Sequence, residues 1–180
     1  MLSINIPGIE YYNDETEEFG TTKPVSLQLE HSLVSLSKWE AKWRKPFLSK
    51  DAKTYDETID YIRCMTITQN VDPVVYKNLS DEVYSTVNQY IEAPMTATWF
   101  SDDKGPGSSR EIITAEIIYY WMVSYNIPME CQKWHLNRLL TLIRVCNIKN
   151  APPKKIGKRD SLASRRALNE ARRRQLNSKG

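Results

Sequence analysis

The segment Glu130–Lys155, ECQKWHLNRLLTLIRVCNIKNAPPKK, decides how this chain divides, because an apolar helical pattern ends there at a proline pair. Its leucines and isoleucine recur at spacings of three and four residues, which predicts a helix over about residues 128–145. Pro152-Pro153 cannot continue a helix and opens a basic tail. We therefore predict a helical body over residues 1–150, followed over residues 151–180 by a basic linker and a marginally stable helix.

The predicted helix carries the residues that we consider most informative for binding. Its apolar residues can pack either against the apolar helix that precedes it or against a client protein. Trp134 and Arg138 are one turn apart, so they form a pair on the helix surface. The candidate partner-binding residues of this helix are Trp134, Leu136, Arg138, Leu139, Leu140 and Ile143.

Cys131 and His135 are four residues apart and would share a face of this helix, which raises the question of a metal or catalytic site. Zinc usually needs three or four protein ligands, whereas the only other histidine is His31 and no CxxC pair occurs. No third group is indicated that would orient a Cys–His catalytic pair. We therefore predict packing side chains here, with no metal, cofactor or catalytic residue, and a protein that is not an enzyme.

Charge is distributed unevenly along the chain. Residues 151–180 contain ten Lys or Arg against two acidic residues, a balance of +8, while the first 150 residues have a balance of −5. An acidic body with a basic tail is typical of a protein whose tail makes contacts with partners. The tail residues that we expect to make them are Arg165, Arg166, Arg172, Arg173 and Arg174.

Upstream of this segment, the pattern predicts a mainly α-helical fold. Residues 1–30 contain two β-branched, partly alternating runs joined by an acidic link, which predicts a small β-hairpin with a long loop. Helices are then predicted from about Ser32 and after two capping boxes, Thr54–Glu57 and Ser108–Glu111. The expected architecture is a single helical domain of five or six helices with an N-terminal β-hairpin and a basic C-terminal tail or helix.

The run IITAEIIYYWMVSY, over residues 112–125, is apolar on nearly every side, which is typical of a central, buried helix. No apolar run approaches the length needed to span a bilayer, and the first residues do not have the pattern of a secretory signal. The three cysteines are widely spaced, which favours reduced thiols over a disulfide framework. We therefore expect no membrane partner.

A nucleic-acid-binding protein is an alternative that the sequence keeps open. The KWHLNR segment over residues 133–138 and the RRALNEARRR segment over residues 165–174 supply basic residues for phosphates and a tryptophan that could stack on bases. The acidic body and the lack of a recognised nucleic-acid-binding motif count against this alternative. The arginines of the tail could equally contact an acidic protein.

The stretch Arg110–Lys155 resembles the tail assembly chaperones of long-tailed bacteriophages. A helix with a Tyr-Tyr-Trp centre is followed by a proline turn and a Trp-His segment that ends in LLTLIRV. The resemblance implies a non-enzymatic protein of the host cytoplasm that keeps the long tape measure protein soluble while the tail tube assembles around it. Many members of the family are also made in a frameshifted longer form. Tail tube subunits and a second copy of the chain are further candidate partners. A structural tail or neck adaptor of the virion is the principal alternative.

Overall fold

A computed structural model describes residues 1–13, 17–100, 112–152 and 158–176 of the chain. Two short antiparallel sheets form the N-terminal region. Strand β1 (Leu2–Ile6) pairs with β4 (Val25–Leu29), and β2 (Glu10–Asn13) pairs with β3 (Glu18–Thr21). The predicted hairpin is therefore present, but the link that we expected to be a loop contains a second pair of strands. Tyr12 and Phe19 stabilise it as a cross-strand aromatic pair with ring centroids 5.2 Å apart.

Four helices follow the strands, and each begins at a side chain that satisfies free backbone N–H groups. They are α1 (Leu33–Trp43), α2 (Tyr55–Met65), α3 (Pro73–Lys77) and α4 (Asp81–Glu92). The capping box predicted at Thr54 is present: its hydroxyl accepts from Glu57 N, and the Glu57 carboxylate accepts from Thr54 N. Helix α1 ends at Arg44, which has the left-handed conformation common at helix ends.

The last third of the body differs from the prediction of one continuous helix over residues 128–145. Helix α5 (Ala115–Ser124) is followed by a short 3₁₀ helix (Met129–Lys133) and then by α6 (Leu136–Asn150). Trp134 between them is extended, so the helical pattern in the sequence crosses a break in the backbone. The capping box predicted at Ser108–Glu111 lies outside the described residues.

Two clusters of buried side chains form the core, and α1 contributes to both. Trp39 of α1 packs with the β1–β4 sheet and helices α2 to α4, whereas Leu33 and Leu36 pack with α5, the 3₁₀ helix and α6. The central helix is therefore α1 and not α5, contrary to the prediction. On α5 only Ala115, Ile118 and Met122 are buried, so the described residues cover one side of this helix.

The chain divides into two compact units, Met1–Asn147 and Ile148–Gly180. The second unit contains α7 (Lys158–Leu176), a helix with seven Lys or Arg and two acidic residues. The fold is mainly α, and the described residues contain seven α-helices, more than the five or six that we predicted. No helix within the described ranges has the length and apolar character needed to cross a bilayer.

Candidate functional site

The two histidines of the chain lie side by side in the body. His31 follows β4 and His135 precedes α6, and their ring centroids are 5.1 Å apart at 66°. The backbone holds them there, because Leu136 N donates to His31 O at 2.7 Å and Ser32 forms an isolated antiparallel bridge with His135. The sequence separates these residues widely, so their contact could not be expected from it.

Each imidazole is satisfied by a protein group. His31 Nδ1 lies 2.6 Å from the hydroxyl of Tyr61, and His135 Nε2 lies 2.9 Å from the carbonyl oxygen of Tyr90. Since a carbonyl can only accept, Nε2 of His135 carries the proton, while its Nδ1 accepts from Asn137 N at 3.3 Å. Burial raises the pKa of Tyr61, which keeps its hydroxyl protonated and able to donate to His31.

Both imidazoles are neutral near pH 7. Burial, and secondarily the proximity of His135, lowers the pKa of His31 to about 3. Burial also lowers the pKa of His135, although its hydrogen bond to Tyr90 and the nearby Glu30 act in the opposite direction. The pair is thus uncharged, and the folded state disfavours adding a proton to either ring.

The network continues through Glu30 to the N-terminus. The hydroxyl of Tyr90 donates to Glu30 Oε1 at 2.7 Å, and the Met1 ammonium lies 2.9 Å from Glu30 Oε2. Burial raises the pKa of Tyr90, so its phenol remains a donor. The arrangement joins β1, the start of α1, α4 and the start of α6 by hydrogen bonds and offers no evident nucleophile.

Cys131 does not form a helix-face pair with His135, because Cys131 is in the 3₁₀ helix and His135 follows the break at Trp134. Its side chain is buried in the second core cluster. Among the residues that the structure describes, no group of three or more His, Cys, Asp or Glu side chains is placed to hold a metal ion.

A second candidate site is an apolar groove beside α6. Two cavities, of about 240 and 350 Å³, both include Leu140 and Arg144 in their linings. The first also involves α5, and the second involves residues 94–100. We call this surface the α6 groove and define it by Trp99, Phe100, Trp121, Tyr125, Leu140 and Arg144.

The α6 groove has large aromatic side chains that the described part of the body leaves exposed or half-buried. Trp99 is 83% exposed, while Trp121, Tyr125 and Leu140 are half-buried. The guanidinium of Arg144 lies 4.0 Å from the centroid of the Phe100 ring, so the one charged lining residue is held over an aromatic face. The groove can therefore bury apolar side chains of another molecule.

The structure separates the residues predicted to bind a partner into three groups. Leu136, Leu139 and Ile143 are in the core, and the two leucines are fully buried, so as folded these leucines cannot contact a client. Trp134 and Arg138 form the expected surface pair, with the guanidinium 4.2 Å from the ring centroid. Leu140 lines the groove, and the largely buried Ile143 contributes to the lining of its first cavity. The five arginines of the tail are exposed on α7, in the second compact unit: Arg165, Arg166, Arg172, Arg173 and Arg174.

Sequence reasoning missed Trp121 and Tyr125, although a signal for them was present. Helix α5 is apolar on nearly every side, and we took this pattern to mean that the whole helix is buried. Tyr120 and Val123 are instead 67% and 65% exposed. A helix with too much apolar surface for its position is also typical of a partner-binding helix.

Comparison with protein-family models, with curated proteins and with solved structures finds no match to this chain.

Proposed function

We propose that this chain is a tail assembly chaperone of a long-tailed bacteriophage, which binds the tape measure protein and keeps it soluble in the host cytoplasm. The observation that supports it is the α6 groove, an aromatic-lined surface that the described residues of the body leave open. A tape measure protein is a long helical chain with apolar faces that need cover before the tail tube encloses them. An amphipathic helix fits a groove by inserting apolar side chains at helical spacing.

The lining of the groove favours an apolar client. Trp121, Tyr125 and Leu140 supply apolar area, and aromatic side chains are enriched where binding energy concentrates. Arg144 at the rim can donate hydrogen bonds to a carboxylate of the client while its guanidinium lies over the Phe100 ring. Binding of this kind needs no catalytic group, which agrees with a non-enzymatic role.

Many apolar helices could bind to such a groove. The resemblance of Arg110–Lys155 to tail assembly chaperones is the reason for proposing the tape measure protein as the client. The segment contains four of the six residues of the groove: Trp121 on α5, Tyr125 at its C-terminal end, and Leu140 and Arg144 on α6. The same surface on a structural tail or neck adaptor would stay occupied in the finished particle. Mass spectrometry of purified virions distinguishes these roles. Stoichiometric presence of the chain in the particle would contradict the chaperone proposal and support the adaptor.

Co-expression with a tape measure protein tests the proposal. We expect the wild-type chain to move the client from the pellet to the soluble fraction. Leu140→Glu and Arg144→Glu should each abolish most of this effect, the first by placing a charge among apolar groups. Arg144 is exposed, so its replacement leaves the core intact.

The matched control is Leu48→Glu, which introduces the same charge at a 38% exposed leucine outside the groove. It should keep full solubilising activity, and circular dichroism should show all variants to be folded. A client that is equally insoluble with and without the wild-type chain would refute the function. If all variants solubilised the client equally well, the client would bind to a surface other than the α6 groove.

A further inference from the structure

Helix α7 presents a cluster of arginines that the proposed client binding does not use. Residues 165–176 are all exposed, and they include five arginines and a single acidic residue, Glu170. Arg165 and Arg166 are followed seven residues later by Arg172 and Arg173. Seven residues are close to two helical turns, so these four side chains lie on one face, in two rows about 10.5 Å apart along the axis.

The apolar residues of α7 do not form a stripe on which a protein or a membrane could bind. Leu162, Leu168 and Leu176 are 55%, 56% and 75% exposed. They are six and eight residues apart, so more than a full turn without a leucine separates each from the next and they form no continuous stripe. Coiled-coil partners and lipid surfaces both need a continuous apolar face. The remaining chemistry of the helix is its charge.

We propose that the arginine face of α7 binds the phosphate backbone of double-stranded nucleic acid, without reading its sequence. Guanidinium groups bind phosphate oxygens with two parallel hydrogen bonds and stay charged at all physiological pH values. Within the described part of α7, the one ion pair joins Arg174 to Glu170 at 3.1 Å, and it does not involve the arginine face. This activity is additional to client binding and uses a different compact unit.

The dimensions and charges fit a duplex. A duplex carries about one negative charge per 1.7 Å of its axis, so a phosphate backbone alongside the helix offers several charges over the 10.5 Å between the two rows. Tryptophan stacking on bases is not required for this binding, which uses contacts with phosphates alone. Binding by charge alone predicts a strong dependence on salt and little dependence on sequence.

Fluorescence anisotropy of the full chain with a labelled DNA duplex of mixed sequence tests the proposal. Four phosphate contacts predict a slope of about −3.6 in a plot of log affinity against log salt concentration. Replacing Arg165, Arg166, Arg172 and Arg173 by Gln should lower affinity by at least about 30-fold at about 50 mM salt. Glutamine has nearly the same helix propensity as arginine, so the helix itself should persist.

The matched control removes four charges from the body, where Lys38, Lys50, Lys77 and Lys133 are exposed. Replacing these four by Gln changes net charge equally and should alter affinity by less than about threefold. An equal loss in both variants would overturn the proposal, since net charge would then explain binding. The absence of binding at low salt would overturn it too.

Competition identifies the partner class. Unlabelled duplexes of unrelated sequence should displace the labelled probe equally well. If polyglutamate displaces the probe as well as unlabelled DNA of equal charge does, the arginine face binds any acidic chain. The assignment to nucleic acid would then fail. The four-glutamine variant of α7 should solubilise the client as well as wild type does. This measurement distinguishes a failure of the nucleic-acid proposal from a failure of the chaperone function.

Discussion

His31 and His135 lie edge to face with ring centroids 5.1 Å apart, and both are buried and neutral. This contact joins the end of the N-terminal strands to the start of α6. Tyr61 and Tyr90 extend it to α2 and α4. The pair therefore couples the two core clusters through hydrogen bonds in addition to the apolar contacts of α1.

The histidine pair predicts that acid destabilises the fold. Because both pKa values are lowered by folding, the stability from the neutral rings is complete above the unfolded pKa of about 6.5. It is lost as pH falls from there toward the folded pKa, which for His31 is about 3. Urea unfolding between about pH 7 and 5 should show stability falling by up to about 1.4 kcal/mol per pH unit through His31, and His135 should add to this fall.

The variant His31→Gln tests whether His31 causes this loss of stability in acid. It should be less stable than wild type near pH 7, by about 1 to 3 kcal/mol, since Tyr61 loses its partner. Its stability should nevertheless fall less steeply between pH 7 and 5, because one titrating group is gone. Parallel profiles of wild type and variant over this range would contradict the role of His31.

Glu40 of α1 predicts a second stability effect, at the start of α5. Its carboxylate is buried and accepts from Phe47 N at 2.8 Å and from Ala115 N at 2.7 Å. Thr114, at the N-cap position, makes no side-chain cap of its own. Glu40→Ala should cost about 2 to 4 kcal/mol, because two buried N–H groups lose a charged acceptor. Chemical denaturation measures this cost.

Glu116→Ala is the matched control for Glu40. Glu116 is exposed in the first turn of α5, where its interaction with the helix dipole contributes less than about 1 kcal/mol. A cost for Glu40→Ala no larger than that for Glu116→Ala would show that the two hydrogen bonds do not stabilise the start of the helix.

Local signals in the sequence predict the starts of α1 and α2, whereas α5 begins at Ala115, later than the helix predicted from residue 112. The Ser32 and Thr54 caps each depend on a contact with a residue three positions later, so the short motif contains the whole interaction. The Glu40 contact with Ala115 and the contact between the histidines depend on segments far apart in sequence. No periodicity or motif contains that information.

The break at Trp134 and the open face of α5 were missed for related reasons. A helical pattern persists through residues 128–145, yet tertiary contacts of His135 with Ser32 and Tyr90 hold an extended backbone there. Apolar residues around α5 predict burial only if the rest of the chain is large enough to cover them. The sequence does not indicate which apolar face is left for another molecule.

Cys131 should behave as a packing residue. It is buried among the side chains of the second core cluster, without the partners that a metal site requires in the described chain. Cys131→Ala should lower stability by about 1 to 2 kcal/mol through the cavity that it leaves, while client solubilisation stays intact. A thermal shift measurement with added zinc should give the same melting temperature for both proteins. A zinc-dependent rise in wild type alone would show that Cys131 is a ligand.

Adjacent leucines of α6 should have opposite roles. Leu139 is fully buried in the second core cluster, whereas Leu140 is half-buried and lines the α6 groove. Leu139→Ala should cost about 2 to 5 kcal/mol of unfolding free energy, since it leaves a cavity in the core. Leu140→Ala removes the same atoms from a surface that water already reaches, so its cost should stay below about 1.5 kcal/mol.

Client solubilisation should rank the two variants in the reverse order. At a temperature where both remain folded, Leu139→Ala should solubilise a tape measure protein as well as wild type, because its side chain does not reach the groove. Leu140→Ala should solubilise less, since it removes apolar contact area from the binding surface. If the loss of solubilisation instead followed the loss of stability in both variants, the groove would have no separate part in binding. The client would then recognise only the intact fold.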